Sequence, residues 1–154
     1  MAWVTLSLRK MELIHQHNSL EMDDLRISRE ERQMARQYQL EETRTQNSYN
    51  QETRDLRSSL KAKKDDLKAN KDYNDNYEQE LDEAQQEYKE QYDQLQTESE
   101  NEVANLEEEA ATREAQLEDQ KVQIETQMEA VAAEMDAIKQ QISTDIQNEA
   151  LQLH

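Results

Sequence analysis

Residues 117–142 read LEDQKVQIETQMEAVAAEMDAIKQQI. Leu117, Ile124, Val131 and Ile138 recur every seven residues, and Lys121, Met128, Met135 and Ile142 fall between them at the same period. Alternating steps of three and four place both sets on one side of an α-helix, which turns once in about 3.6 residues. Val103 and Ala110 carry the stripe backwards, and Ile146, Ala150 and Leu153 carry it forwards. Glu, Gln and Asp fill the remaining faces. The stretch therefore predicts a helix over 103–153 with a narrow apolar seam that a partner helix has to cover.

The whole chain is built for such helices and for little else. Its 154 residues include no Gly, Pro, Cys or Phe, only 34% are hydrophobic, and the formal net charge is -18. Phosphate-cradling loops, dinucleotide fingerprints and EF-hand turns all need glycine, so nucleotide sites of those kinds are excluded. Disulfides, thiolate nucleophiles and thiolate metal sites are excluded with cysteine. Low hydrophobicity with high charge is also the composition of disordered chains. Here the periodic seams and the abundance of Leu, Ala, Glu, Gln, Lys and Arg argue for helices that fold by covering one another. No signal peptide and no membrane-spanning stretch is read from the sequence, which suggests a cytoplasmic protein or one held within a virion or other macromolecular assembly.

In the first forty residues Leu6, Leu13, Leu20, Ile27 and Met34 recur every seven positions, and Tyr38 continues their side. Val4, Met11, Met22, Leu25 and Leu40 project from roughly the opposite side. A helix with two apolar sides is expected to lie between two neighbours. Trp3, Leu6, Leu13, Leu20, Ile27 and Met34 are taken as its assembly interface. Residues 2–8 also alternate in polarity, which admits a short strand.

Residues 41–55 carry one large apolar side chain, Tyr49, among Thr, Asn and Ser residues that compete for the backbone. They are the expected bend, with Asn47 and Ser48 at its centre; the lack of Gly and Pro also admits a helix that runs straight through. From Leu56 a seven-residue frame follows, with Leu60, Leu67, Asn74, Leu81, Tyr88 and Leu95 at one position and Leu56, Lys63, Asn70, Tyr77, Ala84 and Gln91 at the other. In that frame Asn70 and Asn74 occupy core positions and set the register of a coiled coil. The alternative is that residues 70–76, NKDYNDN, form a polar loop.

Charge divides the chain. Residues 1–72 carry 14 basic and 13 acidic groups, whereas residues 73–154 carry 4 basic and 23 acidic groups. Arg26, Arg29, Arg32 and Arg36 form a basic stripe on the first helix. Glu30 and Glu31 interrupt it, and the acidic chain as a whole repels nucleic acid, so the expected partners of the stripe are carboxylates of the second half, in the same or a neighbouring copy. Chemistry has little material. His15, His17 and His154 are the only histidines, and Glu12 with His15 makes one Glu-x-x-His pair without the further carboxylates of a di-iron site. The acidic clusters read as solvated faces. No enzyme activity, cofactor or metal is expected, and neither nucleic acid nor a membrane is an expected partner.

The expected architecture is all-α, elongated and oligomeric. It comprises a two-faced docking and assembly helix over 1–40, a polar bend over 41–55, and a long acidic coiled-coil helix over 56–154. Leu117, Ile124, Met128, Val131, Met135, Ile138 and Ile142 form the seam of the last segment. In composition the chain is similar to phage scaffolding proteins and to helical filament or needle subunits of export machines. The expected function is that of a structural, self-assembling subunit of a larger bacterial or viral assembly, with itself and other proteins of that assembly as partners. The competing expectation is a regulatory or adaptor coiled coil that binds one protein through residues 1–40.

Overall fold

The computed structural model describes residues 2–153 and contains two long helices, α1 (Ala2–Ala69) and α2 (Tyr77–Gln152), joined by a short turn that includes a single 3-10 turn at Lys71–Tyr73. Among the described residues there is no strand, so residues 2–8 are helical despite their alternation. The helices divide between two compact units, one formed by Met1–Met34 with Thr112–His154 and the other by Ala35–Ala111.

In the first unit α1 and α2 run antiparallel. Trp3 is bonded to Glu149, Arg9 to Glu134, and Leu20 lines a groove with Ala130 and Val131. Buried and half-buried positions on α1 include Trp3, Leu6, Lys10, Leu13, His17, Leu20, Asp24, Ile27, Glu31 and Met34, in steps that alternate between three and four, with half-buried Ser7, Asp23, Ser28 and Glu30 flanking this line. On α2 they include Leu117, Lys121, Ile124, Met128, Val131, Met135, Ile138 and Ile142, with the same steps, beside half-buried Ala132 and Asp145. Leu13, Ile27 and Leu117 are sealed from solvent at no more than 1% exposure. Full burial of such a side chain contributes about 1.5–3 kcal/mol, so these three anchor the unit.

The second unit is a helical hairpin with a different repeat. Its covered positions on α2 are Tyr77, Leu81, Ala84, Tyr88, Tyr92, Leu95, Ser99, Val103, Leu106 and Ala110. They recur as Tyr77, Tyr88, Ser99 and Ala110, then Leu81, Tyr92 and Val103, each eleven residues apart. On α1, Tyr38, Tyr49 and Leu60 and then Thr45, Leu56 and Leu67 follow the same spacing. Eleven residues in three turns is about 3.67 per turn, against 3.5 for a heptad, so these faces need almost none of the left-handed coiling that a heptad demands. The seven-residue frame expected from Leu56 onward is thus corrected to eleven. Lys63 and Gln91, which that frame put in the core, are exposed.

The bend expected at 41–55 is not present: α1 runs through these residues without a break. With no Gly or Pro there, the Thr and Ser side chains turn their competing hydrogen bonds back onto the helix. Thr43 donates to the Gln39 carbonyl at 2.9 Å and Thr53 to the Tyr49 carbonyl at 2.8 Å. Gln37 to Glu41, Ser48 to Glu52 and Gln51 to Asp55 add side-chain bonds one turn apart. Thr45 and Thr53 are themselves buried on the seam.

The chain turns instead at residues 70–76, and the long helix expected from residue 56 is interrupted there. Asn70 and Asn74 flank the 3-10 turn between the two helices and so lie in the turn, outside the helical seam positions that the seven-residue frame gave them. The Asn70 amide donates to the Asp66 carbonyl at 3.2 Å, satisfying part of the open end of α1. Asn74 adopts an extended conformation, and its Oδ1 accepts the Asn76 N–H at 3.0 Å. No described residue has positive φ, which is how the reversal is made without glycine. Lys68 in the last turn of α1, and Glu78 and Glu80 in the first turn of α2, match the charges of the helix ends. The Lys71 ammonium lies 5.3 Å from the centre of the Tyr77 ring and ties the turn to α2.

Candidate functional site

The side of α1 expected to dock other molecules is occupied within the chain. Leu6, Leu13, Leu20, Ile27 and Met34 form the seam toward α2, and the Trp3 indole N–H donates to the Glu149 carboxylate at 3.0 Å. These residues are therefore internal packing, and the assembly interface assigned to them is corrected. The C-terminal seam, Leu117, Ile124, Met128, Val131, Met135, Ile138 and Ile142, is the matching internal surface on α2.

The opposite side of α1 is open. Val4, Leu8, Met11, Met22 and Leu25 are 38%, 60%, 66%, 71% and 57% exposed. With His15 and Asn18, both exposed, they follow the positions 4, 8, 11, 15, 18, 22 and 25, again in alternating steps of four and three. They form a second heptad stripe, about 150° around the helix from the first. Arg29 and Arg32 extend it, so a band of apolar side chains passes into cationic ones on the same face. Ile14 flanks the stripe at 42% exposure. Leu40, in the second unit, is also exposed but lies off these positions. Single exposed apolar residues are ordinary, whereas here five lie on one face with helical spacing, on either side of the polar His15 and Asn18.

The basic stripe stays on the surface. Arg26, Arg29, Arg32 and Arg36 are all exposed, and among the described residues none of them pairs with an acidic side chain of α2. Arg26 lies 3.9 Å from Asp23, and Arg32 donates from Nε to the Ser28 carbonyl at 3.3 Å. The cations that do reach α2 lie outside that stripe. Arg9 meets Glu12 and, on α2, Glu134, each at 3.1 Å, contacts that in this order raise its already high pKa, and Lys63 lies 4.0 Å from Glu87. The signal for Arg9 is its place beside the internal seam, one position from Lys10.

Little else in the two units has the form of a chemical site. Among the described residues no three His, Cys, Asp or Glu side chains converge on a metal position. Glu12 is bonded to Arg9, and His15 is exposed and points away from α2. His17 lies at the edge of the seam, 3.6 Å from Glu21, and His154 lies outside the described residues. A groove of about 400 Å³ in the second unit is lined by Leu56 and Leu95 but also by Glu52, Asp55 and Glu98, which keep it wet and acidic. Asp24, on the internal seam, has a buried Oδ1 without a hydrogen-bond partner. No helix among the described residues is long and apolar enough to cross a membrane. No family model, no curated protein and no solved structure matches this chain.

Proposed function

We propose that this protein is a structural, self-assembling helical subunit, of the kind that builds virion or filament assemblies. In this reading both units pack as antiparallel coiled coils, and the outer face of α1 receives further protein. The observation that carries the reading is the open stripe from Val4 to Leu25, with its heptad spacing and its exposed Leu and Met side chains. A helix that already has one covered seam gains nothing for its own fold from a second one. A composition of charged helix formers supports a mechanical role over a chemical one.

Charge supports association through α1. Within the first unit, residues 2–34 carry five basic and six acidic side chains, whereas residues 112–153 carry three basic and nine acidic ones. Copies that meet through α1 join their least charged surfaces and keep their acidic α2 helices apart. The alternative reading, an adaptor that binds one different protein through residues 1–40, is favoured by the confinement of the stripe to a single face of a single unit. Sedimentation velocity on the purified full chain over a wide range of concentration and salt separates the two. Self-assembly predicts species larger than one chain that grow with concentration. A chain that stays monomeric throughout leaves the adaptor.

A further inference from the structure

Within the stripe on the outer face of α1, the six positions from Leu8 to Leu25 form a pattern that reads the same in both directions, with Val4 outside it. Its positions are Leu8, Met11, His15, Asn18, Met22 and Leu25, with steps of 3, 4, 3, 4 and 3. Reversed, the steps are unchanged, and the residues are again Leu, Met, two polar side chains, Met and Leu. A surface that is palindromic along a helix is complementary to itself about a two-fold axis perpendicular to that helix. We propose that two copies of this chain pair through this stripe with their α1 helices antiparallel and the two-fold axis between residues 16 and 17. This rests on the self-assembly reading and assigns its first contact: the building unit is an isologous dimer.

The register then follows from the numbers, since facing residues sum to 33. Leu8 faces Leu25 of the other copy, Met11 faces Met22, and His15 faces Asn18, each layer occurring twice. Every apolar side chain meets an apolar one, and the polar ones meet only each other. A neutral imidazole has one donor and one acceptor, and an Asn amide has both, so each His15 and Asn18 layer closes a hydrogen bond in either tautomer. That central polar pair does what buried Asn does in coiled coils: any shift by a heptad would leave it against Leu or Met, unsatisfied, and so the register is fixed. A parallel pairing stacks Arg29 on Arg29 and Arg32 on Arg32 and is disfavoured by like charge. Antiparallel pairing sends these arginines to opposite ends, with each Arg29 alkyl stem lying over Val4 of the other copy.

The chain has no cysteine, so introduced thiols are unique probes. Full-length Met11→Cys and Met22→Cys chains, each checked for unchanged helicity by circular dichroism, are oxidised separately and then as a mixture. In the proposed dimer two copies of position 11 stand eleven residues apart along the interface, about 16 Å, whereas position 11 adjoins position 22. The expected result is a covalent dimer that forms from the mixture and not from either variant alone. Met11→Glu, which places two carboxylates in the interface, is expected to raise the dimer dissociation constant of the otherwise unmodified protein about 100-fold. Disulfides formed by either variant alone would show a parallel pairing and overturn the proposal. Assemblies of unchanged size in Met11→Glu would place self-association on another face, overturning this inference while leaving the self-assembly reading in place. A wild-type chain that is monomeric at every concentration would overturn both.

Discussion

Asn74 donates from its side-chain amide to the Glu80 carboxylate at 2.6 Å, while its own Oδ1 accepts the Asn76 N–H at 3.0 Å. One side chain thus serves the entry to α2 twice, and the Glu80 carboxylate reaching back from the first turn resembles the reciprocal arrangement of a capping box. Asn74→Ile removes both bonds and is expected to destabilise the protein by about 0.5–2 kcal/mol, the usual effect of losing a helix cap. Urea unfolding followed by circular dichroism measures it. A gain in stability would instead mean that position 74 is a core position after all.

The turn was legible only in part. The run NKDYNDN between residues 70 and 76 carries the Asn and Asp residues of a turn, yet the same residues fit a heptad frame that continues through them. Pattern alone cannot choose, because Leu67 and Leu81 are spaced by two heptads whether the chain turns or not. The stretch at 41–55 misleads in the other direction. Its Thr residues are poor helix formers on a surface, but Thr45 and Thr53 lie buried on the seam, where a small β-branched side chain is covered. The apolar sides of residues 1–34 were readable as two stripes, but which of them faces the chain's own second helix depends on pairing with residues 112–153, and that is not local information.

Asp24 sits on the internal seam between Leu20 and Ile27, and its Oδ1 is buried without a partner. An unsatisfied buried oxygen costs about 1–3 kcal/mol, so Asp24→Leu, which fits the seam's pattern, is expected to stabilise the fold by an amount in that range. The check is the urea midpoint of the variant at unchanged slope. A lower midpoint would show that the carboxylate has a partner in solution that the fold depends on.

In the second unit the Tyr92 side chain beside the Tyr49 hydroxyl, followed by partial burial and the repulsion of charge on Tyr92 and Glu100, raises the Tyr49 pKa above the ordinary value of 10.0. A raised pKa in the folded state means the protonated phenol is favoured by folding. The contribution is complete below the pKa of the unfolded phenol and is lost as pH rises through the higher folded value. Stability is therefore expected to decline through the alkaline range, and Tyr49→Phe is expected to flatten that decline. Thermal melts of both proteins from neutral to alkaline pH give the comparison, and parallel curves would remove Tyr49 as the cause.

Leu13 is 0% exposed and Leu8, five residues earlier, is 60% exposed, so the two faces of α1 make opposite predictions for the same substitution. Leu13→Ala opens a cavity in the seam and is expected to cost about 2–5 kcal/mol, whereas Leu8→Ala is expected to change the stability of a dilute monomer by less than about 0.5 kcal/mol. Trp3 is the only tryptophan and lies in this unit, while all six tyrosines lie in the other, so Trp fluorescence follows the loss locally. Equal effects at the two positions would mean that both faces are covered within one chain.

Methionine oxidation reads the same contrast without mutagenesis. Met11 and Met22 are 66% and 71% exposed, whereas Met34, Met128 and Met135 are half-buried on the internal seams. In dilute protein, mild peroxide is expected to convert Met11 and Met22 first, because access governs the rate. If the outer stripe is where copies meet, the order inverts at high concentration: Met11 and Met22 become protected while the half-buried methionines keep their dilute rates. The sulfoxide at either position brings a polar group into the stripe, so oxidised chains are expected to drop out of the associated fraction in a sedimentation run. Peptide mapping by mass spectrometry across a concentration series resolves each methionine separately. Rates at 11 and 22 that do not depend on concentration would leave the stripe open in every species the protein forms, and association would have to be sought on the outward side of α2.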